Sequence, residues 1–290
     1  MNRIHLVIPV LLLELCMPVG VCFGQETGFD VQTLAMPETK DKNNFVTTMN
    51  KNTGQDKKML AKRFDRFLAL RHNKDVTADK EAKAFLLTAR EEFTLERNKP
   101  HAYDHAFLDI GYGVTISGPH LVMRMTSALD VQPADKVLEV GTGSGYQSAI
   151  LAHLSNHVHS VEIIEPLHER TKGVYDKLVA ANNAEYRNVH LKSGDGYHGW
   201  EEKGPFNKII VTCAIDHIPP PLLKQLAPDG IMVIPVGPPG KQTLLKVQKQ
   251  VDAEGKVSIT RKDVYNGRLS VSFVPFTKSG GGTWSGKGRN

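Results

Sequence analysis

Hydrophobic and polar positions divide the chain into zones of different period. Between residues 59 and 93, the segments "MLAKRFDRFLAL" and "AKAFLLTAREEF" set apolar residues three and four apart, which predicts amphipathic helices packed beside a sheet. From Lys136 onward, short β-branched runs alternate with helical stretches. "KVLEV" precedes a helix over 145–154 and "VHSVE" one over 167–181; "VHLKS" and "KIIVT" follow, then a helix over 220–226 and "IMVIPV". Strands alternating with helices, with no short hairpin between them, predict an α/β fold: a doubly wound, mostly parallel sheet with right-handed crossovers. The later runs "TLLKVQKQV" and "LSVSFVPF", joined through "DAEGK" and a second charged strand, read as antiparallel additions at one edge.

The two ends follow neither period. Residues 1–24 carry Arg3, an apolar stretch over 4–13, and small residues just before Gln25, the layout of a secretory signal peptide and too short for a membrane span. Glu14 interrupts the apolar stretch, so a buried or interfacial N-terminal helix is the alternative. Residues 25–59 are polar without sustained period and read as an arm; 278–290 are glycine-rich and read as a flexible tail. One domain, 60–277, remains between them. The expectation is an exported, periplasmic or extracellular monomer with no stable membrane association after cleavage, a cytoplasmic location being the alternative.

Composition adds limits. The chain of 290 residues, 40% hydrophobic and 23% charged, is of ordinary globular type. Its formal net charge of +5 survives loss of the leader, which removes only Arg3 and Glu14, but the basic residues are scattered, as on a solvated face and not a nucleic-acid stripe. Cys16 and Cys22 fall in the leader, leaving Cys213 alone and no intramolecular disulfide.

Candidate chemistry centres on "VLEVGTGSGYQ". Gly141, Gly143 and Gly145 follow a strand and precede a helix, where absent side chains let a ligand approach the backbone. A dinucleotide fingerprint places its third glycine three positions after the second; here Gly145 comes two after Gly143, and Tyr146 occupies the expected position. Glu139, two residues before Gly141, would repel a pyrophosphate yet accept hydrogen bonds from a cationic amino-acid group. Glu162 ends the second strand, from which a carboxylate can take both ribose hydroxyls. Asp195, next to Gly196 in "SGDG", can face an adenine amino group. The combination favours S-adenosyl-L-methionine over NAD.

The stretch 84–277 resembles protein-L-isoaspartate (D-aspartate) O-methyltransferases. The resemblance rests on "IGYGVTISGPHLVMRM", "VLEVGTGSGYQSAILAHL", "SGDGYHGW", "IIVTCA", "IPPPLLKQLAPDGIMVIPVG" and "FVPFT", in that order. It implies the S-adenosylmethionine-dependent methyltransferase fold with a seven-stranded sheet, and methyl esterification of L-isoaspartyl or D-aspartyl carboxylates in damaged proteins. It further implies Ser117 as the active-site serine, and a substrate cleft lined by Val114, Thr115, Ile116, Ser117 and Thr277. The chain departs from the family pattern at Asn207 (usually Asp), at Cys213 (usually Ala), and in "VSFVP", where Val271 and Ser272 stand in place of the usual Val-Arg.

Methyl transfer to an ionised carboxylate needs positioning more than acid–base help, and a hydroxyl such as Ser117 can fix the oxygen by donating to it. Two rival readings are a methyltransferase redirected to another peptide or small-molecule carboxylate and a non-catalytic binding module that keeps the fold. His157 and His159 share a strand face, but no further residue has metal-ligand spacing, so no metal site is assigned. His120 reads as a loop or substrate-side residue, and Tyr146 and Trp200 as packing residues.

Overall fold

A computed structural model describes residues 29–283. The leader, the first residues of the arm and 284–290 of the tail lie outside the described residues. Three helices come first: α1 (Lys42–Thr53), α2 (Lys57–His72) and α3 (Asp79–Leu87). A small hairpin, β1 (Leu108–Asp109) and β2 (Thr115–Ile116), leads into α4 (Pro119–Leu129). The alternating region supplies β3 (Lys136–Val140), α5 (Tyr146–Ala152), β4 (His157–Glu162), α6 (Glu165–Ala180), β5 (Val189–Ser193) and β6 (Phe206–Val211). It closes with α7 (Pro220–Gln225), β7 (Leu226–Val236), β8 (Thr243–Val251) and β9 (Val257–Asp263).

The main sheet has seven strands in the order β5-β4-β3-β6-β7-β8-β9. The first five are parallel, and β8 and β9 add antiparallel at one edge. Strand order reverses between β3 and β6, so connections leave in opposite directions there and open a crevice at the carboxyl ends of both strands. Alternation along β3 splits the core. Val137 joins a cluster with α2 to α6, whereas Leu138 and Val140 face a second cluster with Leu222 of α7 and Phe276.

Three expectations change. The arm over 25–59 is not a free tether where it is described, because α1 lies within it and α2 begins at Lys57. Phe45 and Met49, four apart, are buried, and the Phe45 ring sits 5.3 Å from that of Phe64 on α2. Asp41 caps α1 through the amides of Asn43 and Asn44, and Gly54 closes it in the left-handed conformation. A narrow apolar stripe in a polar helix is enough once a neighbour covers it.

The helix expected through "AKAFLLTAREEF" stops at Leu87 and resumes as a 3-10 turn, Arg90–Phe93, which turns Arg90 and Glu91 inward. "LSVSFVPF" is not an edge strand. Val271 bridges Gln242 and Pro275 bridges Ala214, carrying the chain back across the crevice. The tail, as far as it is described, folds back through a Thr277–Thr283 bridge.

Candidate active site

The crevice at the carboxyl ends of β3, β4 and β6 is a cleft of roughly 890 Å³, counted to its open mouth. Val114, Thr115, Ile116, Ser117, Glu139, Gly141, Gly143, Glu162, Gly196 and Thr277 all line it. Residues nearly 140 positions apart thus meet because the returning segment 273–277 roofs the glycine turn. Gly145 and Asp195 stand outside this lining.

Their positions have other causes. Gly145 has φ +90°, and a Cβ there would lie 2.8 Å from Thr171 Cγ2 and 3.0 Å from Tyr175 Cε2. Its missing side chain lets α6 pack on the turn, which corrects the expectation that it clears space for a ligand. Asp195 accepts from the Tyr197 amide through one oxygen and from the Ser279 amide through the other, each at 3.0 Å. It caps a local turn and ties down the tail beside Gly196, which does line the cleft.

The turn itself is held from every side. Glu162 accepts from the Gly143 amide at 2.7 Å and from the Ile164 amide at 2.9 Å. Thr171 donates to the Gly143 carbonyl and Tyr175 to the Gly145 carbonyl, at 2.7 and 2.6 Å. Thr212 donates to the Gly141 carbonyl at 2.7 Å and occupies the space a Cβ on Gly141 would need, 2.5 Å away. Gly143, with φ +55°, meets nothing closer than 3.6 Å on its Cβ side. Its main chain is left open toward the cleft.

Glu139 is fully buried. Its Oε2 accepts from the hydroxyls of Ser148 and Ser160, while Oε1 has no partner. Burial pushes its carboxyl up to about 8, against the pull of Ser148 and Ser160 and with the help of the Glu162 charge. An orphaned carboxylate oxygen at this depth is costly unless a donor reaches it. Among the described residues, the cleft lining holds two acids, Glu139 and Glu162, and no lysine, arginine or histidine. Glu162 and the unpartnered Oε1 of Glu139 are acceptors for a ligand with a cationic amino-acid end, whose charge would draw off the Glu139 proton, and two acids disfavour a pyrophosphate, so S-adenosylmethionine fits the residues present.

On the substrate side, the Ser117 carbonyl accepts from Arg90 Nη2 at 2.8 Å, and its hydroxyl makes no hydrogen bond to another described residue. Arg90 is fully buried; its Nε donates to the Ala102 carbonyl at 2.6 Å, and its guanidinium lies 4.6 Å from the centre of the Tyr146 ring. Tyr146 in turn lines the cleft. Sequence reasoning missed Arg90, since an arginine in a polar "TAREEF" carries no signal of burial. It also missed Thr212, which only the β3–β6 pairing brings under Gly141.

The remaining candidates fall outside the chemistry. His120 stacks on His105 with ring centres 3.7 Å apart, and burial lowers it to about 4. His159 packs against His190, Trp200 and Phe206, whereas His157 is exposed at the start of β4. The Cys213 thiol is pushed well up by burial and by Glu162, Asp195 and Glu139, so it stays protonated. Asn207 accepts from the Lys136 amide at 2.8 Å, pinning the β3 and β6 ends with an amide as an aspartate would with a carboxylate.

A sequence model of protein-L-isoaspartate(D-aspartate) O-methyltransferase matches residues 62–280. The chain belongs to this family. Among its relatives, Protein-L-isoaspartate O-methyltransferase 1 of Cupriavidus necator is 48% identical over 187 residues, covering 64% of this chain and 67% of the relative. Protein-L-isoaspartate O-methyltransferase 2 of Polaromonas sp. is 49% identical over 189 residues, covering 65% and 83%. A solved protein-L-isoaspartate O-methyltransferase superposes with a TM-score of 0.61 at 26% identity, covering 76% of this chain and 66% of that one. A Plasmodium falciparum chain crystallised with S-adenosyl-L-homocysteine shares the fold at the same TM-score and 22% identity, covering 74% and 98%. Within the isoaspartate methyltransferase fold, the glycine turn and the 114–117 segment therefore form the two walls of one cleft.

Proposed function

We infer that this chain is an S-adenosylmethionine-dependent methyltransferase that esterifies the free carboxylate of L-isoaspartyl, and D-aspartyl, residues in damaged proteins. The observation that carries the reading is the cleft with two carboxylates and no basic side chain, walled on its other side by Ser117. Bound S-adenosylmethionine supplies an electrophilic methyl group on a cationic sulfur. Glu139 and Glu162 would hold its charged and hydroxyl-bearing ends, with the Gly141–Gly143 main chain open toward it.

The chain's own work is placement. A substrate carboxylate is already ionised at neutral pH, so no general base is required. Ser117 donates its hydroxyl to one carboxylate oxygen and fixes the direction of attack, while Arg90 fixes Ser117 by its carbonyl. Ile116 and Val114 supply apolar walls that exclude competing water. The product ester is activated for repair: the neighbouring main-chain nitrogen attacks it, methanol leaves, and the resulting succinimide opens in part to normal aspartate.

Export and cleavage near Gly24 complete the reading, supported by the leader's basic, apolar and small-residue order. The described N-terminus is compatible with it. The Val31 amide donates to Asn156 and the Phe29 carbonyl accepts from Asn188, at the ends of β4 and β5 remote from the cleft. No helix among the described residues is long and apolar enough to cross a membrane. We further propose a monomer in solution.

The direct test is methyl labelling of an isoaspartyl peptide and of the same peptide with normal aspartate. Strong preference for the first is expected. Equal labelling would favour a methyltransferase redirected to another carboxylate, and no cofactor binding would favour a binding module. Fractionation with mass spectrometry of the N-terminus tests export; a full-length chain confined to the cytosol would refute it.

A further inference from the structure

The hairpin that carries Ser117 brings a second side chain to the same place. Strands β1 and β2 pair antiparallel, with Leu108 opposite Ile116 and Asp109 opposite Thr115. One step further, that register sets Phe107 opposite Ser117. A second step sets Ala106 opposite Gly118, and the Ala106 carbonyl indeed lies 3.2 Å from where a Cβ on Gly118 would stand. The Ile110 amide donates to the Val114 carbonyl at 3.2 Å, so hydrogen-bonded and non-hydrogen-bonded pairs alternate from there. Phe107 and Ser117 are then a non-hydrogen-bonded pair, the kind whose side chains stand closest and on one face.

Exposure separates the two faces. Ile116 is buried, whereas Phe107 is 72% exposed. A single exposed phenylalanine is ordinary on a protein surface. This one stands, by the register of the hairpin, opposite the residue whose hydroxyl would meet the substrate carboxylate, on a segment held from two sides. Stacked His105 and His120 pin the strand before it, and Arg90 holds the Ser117 carbonyl. Asp109, on the same hairpin face as Phe107, is paired with Arg97, so its charge is compensated.

We propose that Phe107 is a specificity-determining residue, receiving an apolar side chain next to the isoaspartyl residue of a polypeptide substrate. The proposal rests on the isoaspartyl methyltransferase reading. A polypeptide that delivers its carboxylate to Ser117 carries its neighbouring residues across the adjoining hairpin, since successive Cα atoms lie only about 3.8 Å apart. An exposed aromatic ring there gives an apolar neighbour contact area and gives a glycine or an acidic neighbour little.

The test compares kcat/KM on three isoaspartyl peptides that differ only in the adjacent residue: leucine, glycine or glutamate. Wild-type protein should favour leucine over glycine by roughly tenfold, the ratio expected when part of one apolar side chain leaves water. In Phe107→Ser the ratio should fall toward one, with Phe107→Leu between. A general loss of activity lowers all three rates and leaves the ratio standing, so an unchanged ratio in Phe107→Ser overturns the proposal. A change in sedimentation from dimer to monomer in that variant, with the ratio unchanged, would assign Phe107 to a second copy and also overturn it. Failure of wild-type protein to label any isoaspartyl peptide would overturn the functional reading and the proposal with it, whereas labelling without neighbour preference overturns the proposal alone.

Discussion

Arg90 reaches from a 3-10 turn on the far side of Tyr146 to the carbonyl of Ser117, 2.8 Å from its Nη2. A buried guanidinium thereby joins the substrate wall of the cleft to the aromatic residue on its cofactor wall. Replacing Arg90 by methionine should leave the Ala102 and Ser117 carbonyls without their donors. The expected loss is about 2–4 kcal/mol of stability, from one buried and one half-buried acceptor left unsatisfied. Turnover of an isoaspartyl peptide should fall further than the melting temperature explains. Thermal unfolding and steady-state rates on one preparation check it; wild-type kcat in a destabilised Arg90→Met would remove Arg90 from the positioning of Ser117.

Glu162 holds the glycine turn by accepting from the Gly143 and Ile164 amides. In Glu162→Gln, one side-chain oxygen becomes an NH2 group facing an amide that also donates. Cofactor affinity measured by calorimetry should drop at least tenfold, because a charge-assisted acceptor is lost and the turn is pushed from its conformation. Wild-type affinity in this variant would remove Glu162 from the cofactor site.

Glu139 sets a pH dependence. Its folded carboxyl lies near 8, above the ordinary 4.5, so the folded state holds a proton that the unfolded chain has released. The stabilisation this represents is complete below about pH 4.5 and is lost as the pH rises through about 8. The variant Glu139→Gln cannot ionise. Its melting temperature should gain on that of the wild type between about pH 5 and 8 and level off above, and a constant difference from about pH 5 to 8 would contradict the buried, proton-bearing carboxyl.

Phe45 tests whether the N-terminal helix belongs to the folded unit. Its side chain is fully buried against Phe64. Phe45→Ala should cost about 3–5 kcal/mol, the usual range for an aromatic removed from a core. Chemical denaturation would read this as a lower midpoint with little change in slope. A variant as stable as the wild type would return residues 42–53 to a tether.

The sequence by itself determined the alternating strands and helices, because β-branched runs and three-to-four spacing report local burial directly. It also determined the place of the glycine turn and the acid character of its surroundings: Glu139, Gly141 and Gly143 are close in the chain, and Glu162 follows one strand later. The tertiary structure decided which of these residues share a cleft. Gly145 reads like its neighbours in sequence, yet it serves the approach of Thr171 and Tyr175 from α6, and Asp195 also ties the tail to the sheet through the distant Ser279 amide. Arg90, Thr212 and the Phe107–Ser117 pairing carry no local signature, since each depends on contacts between segments remote in the chain or on strand register. Helix α1 lies between these cases: its two buried residues are spaced for a helix, but a polar twelve-residue segment is marginal alone and gains its stability from α2.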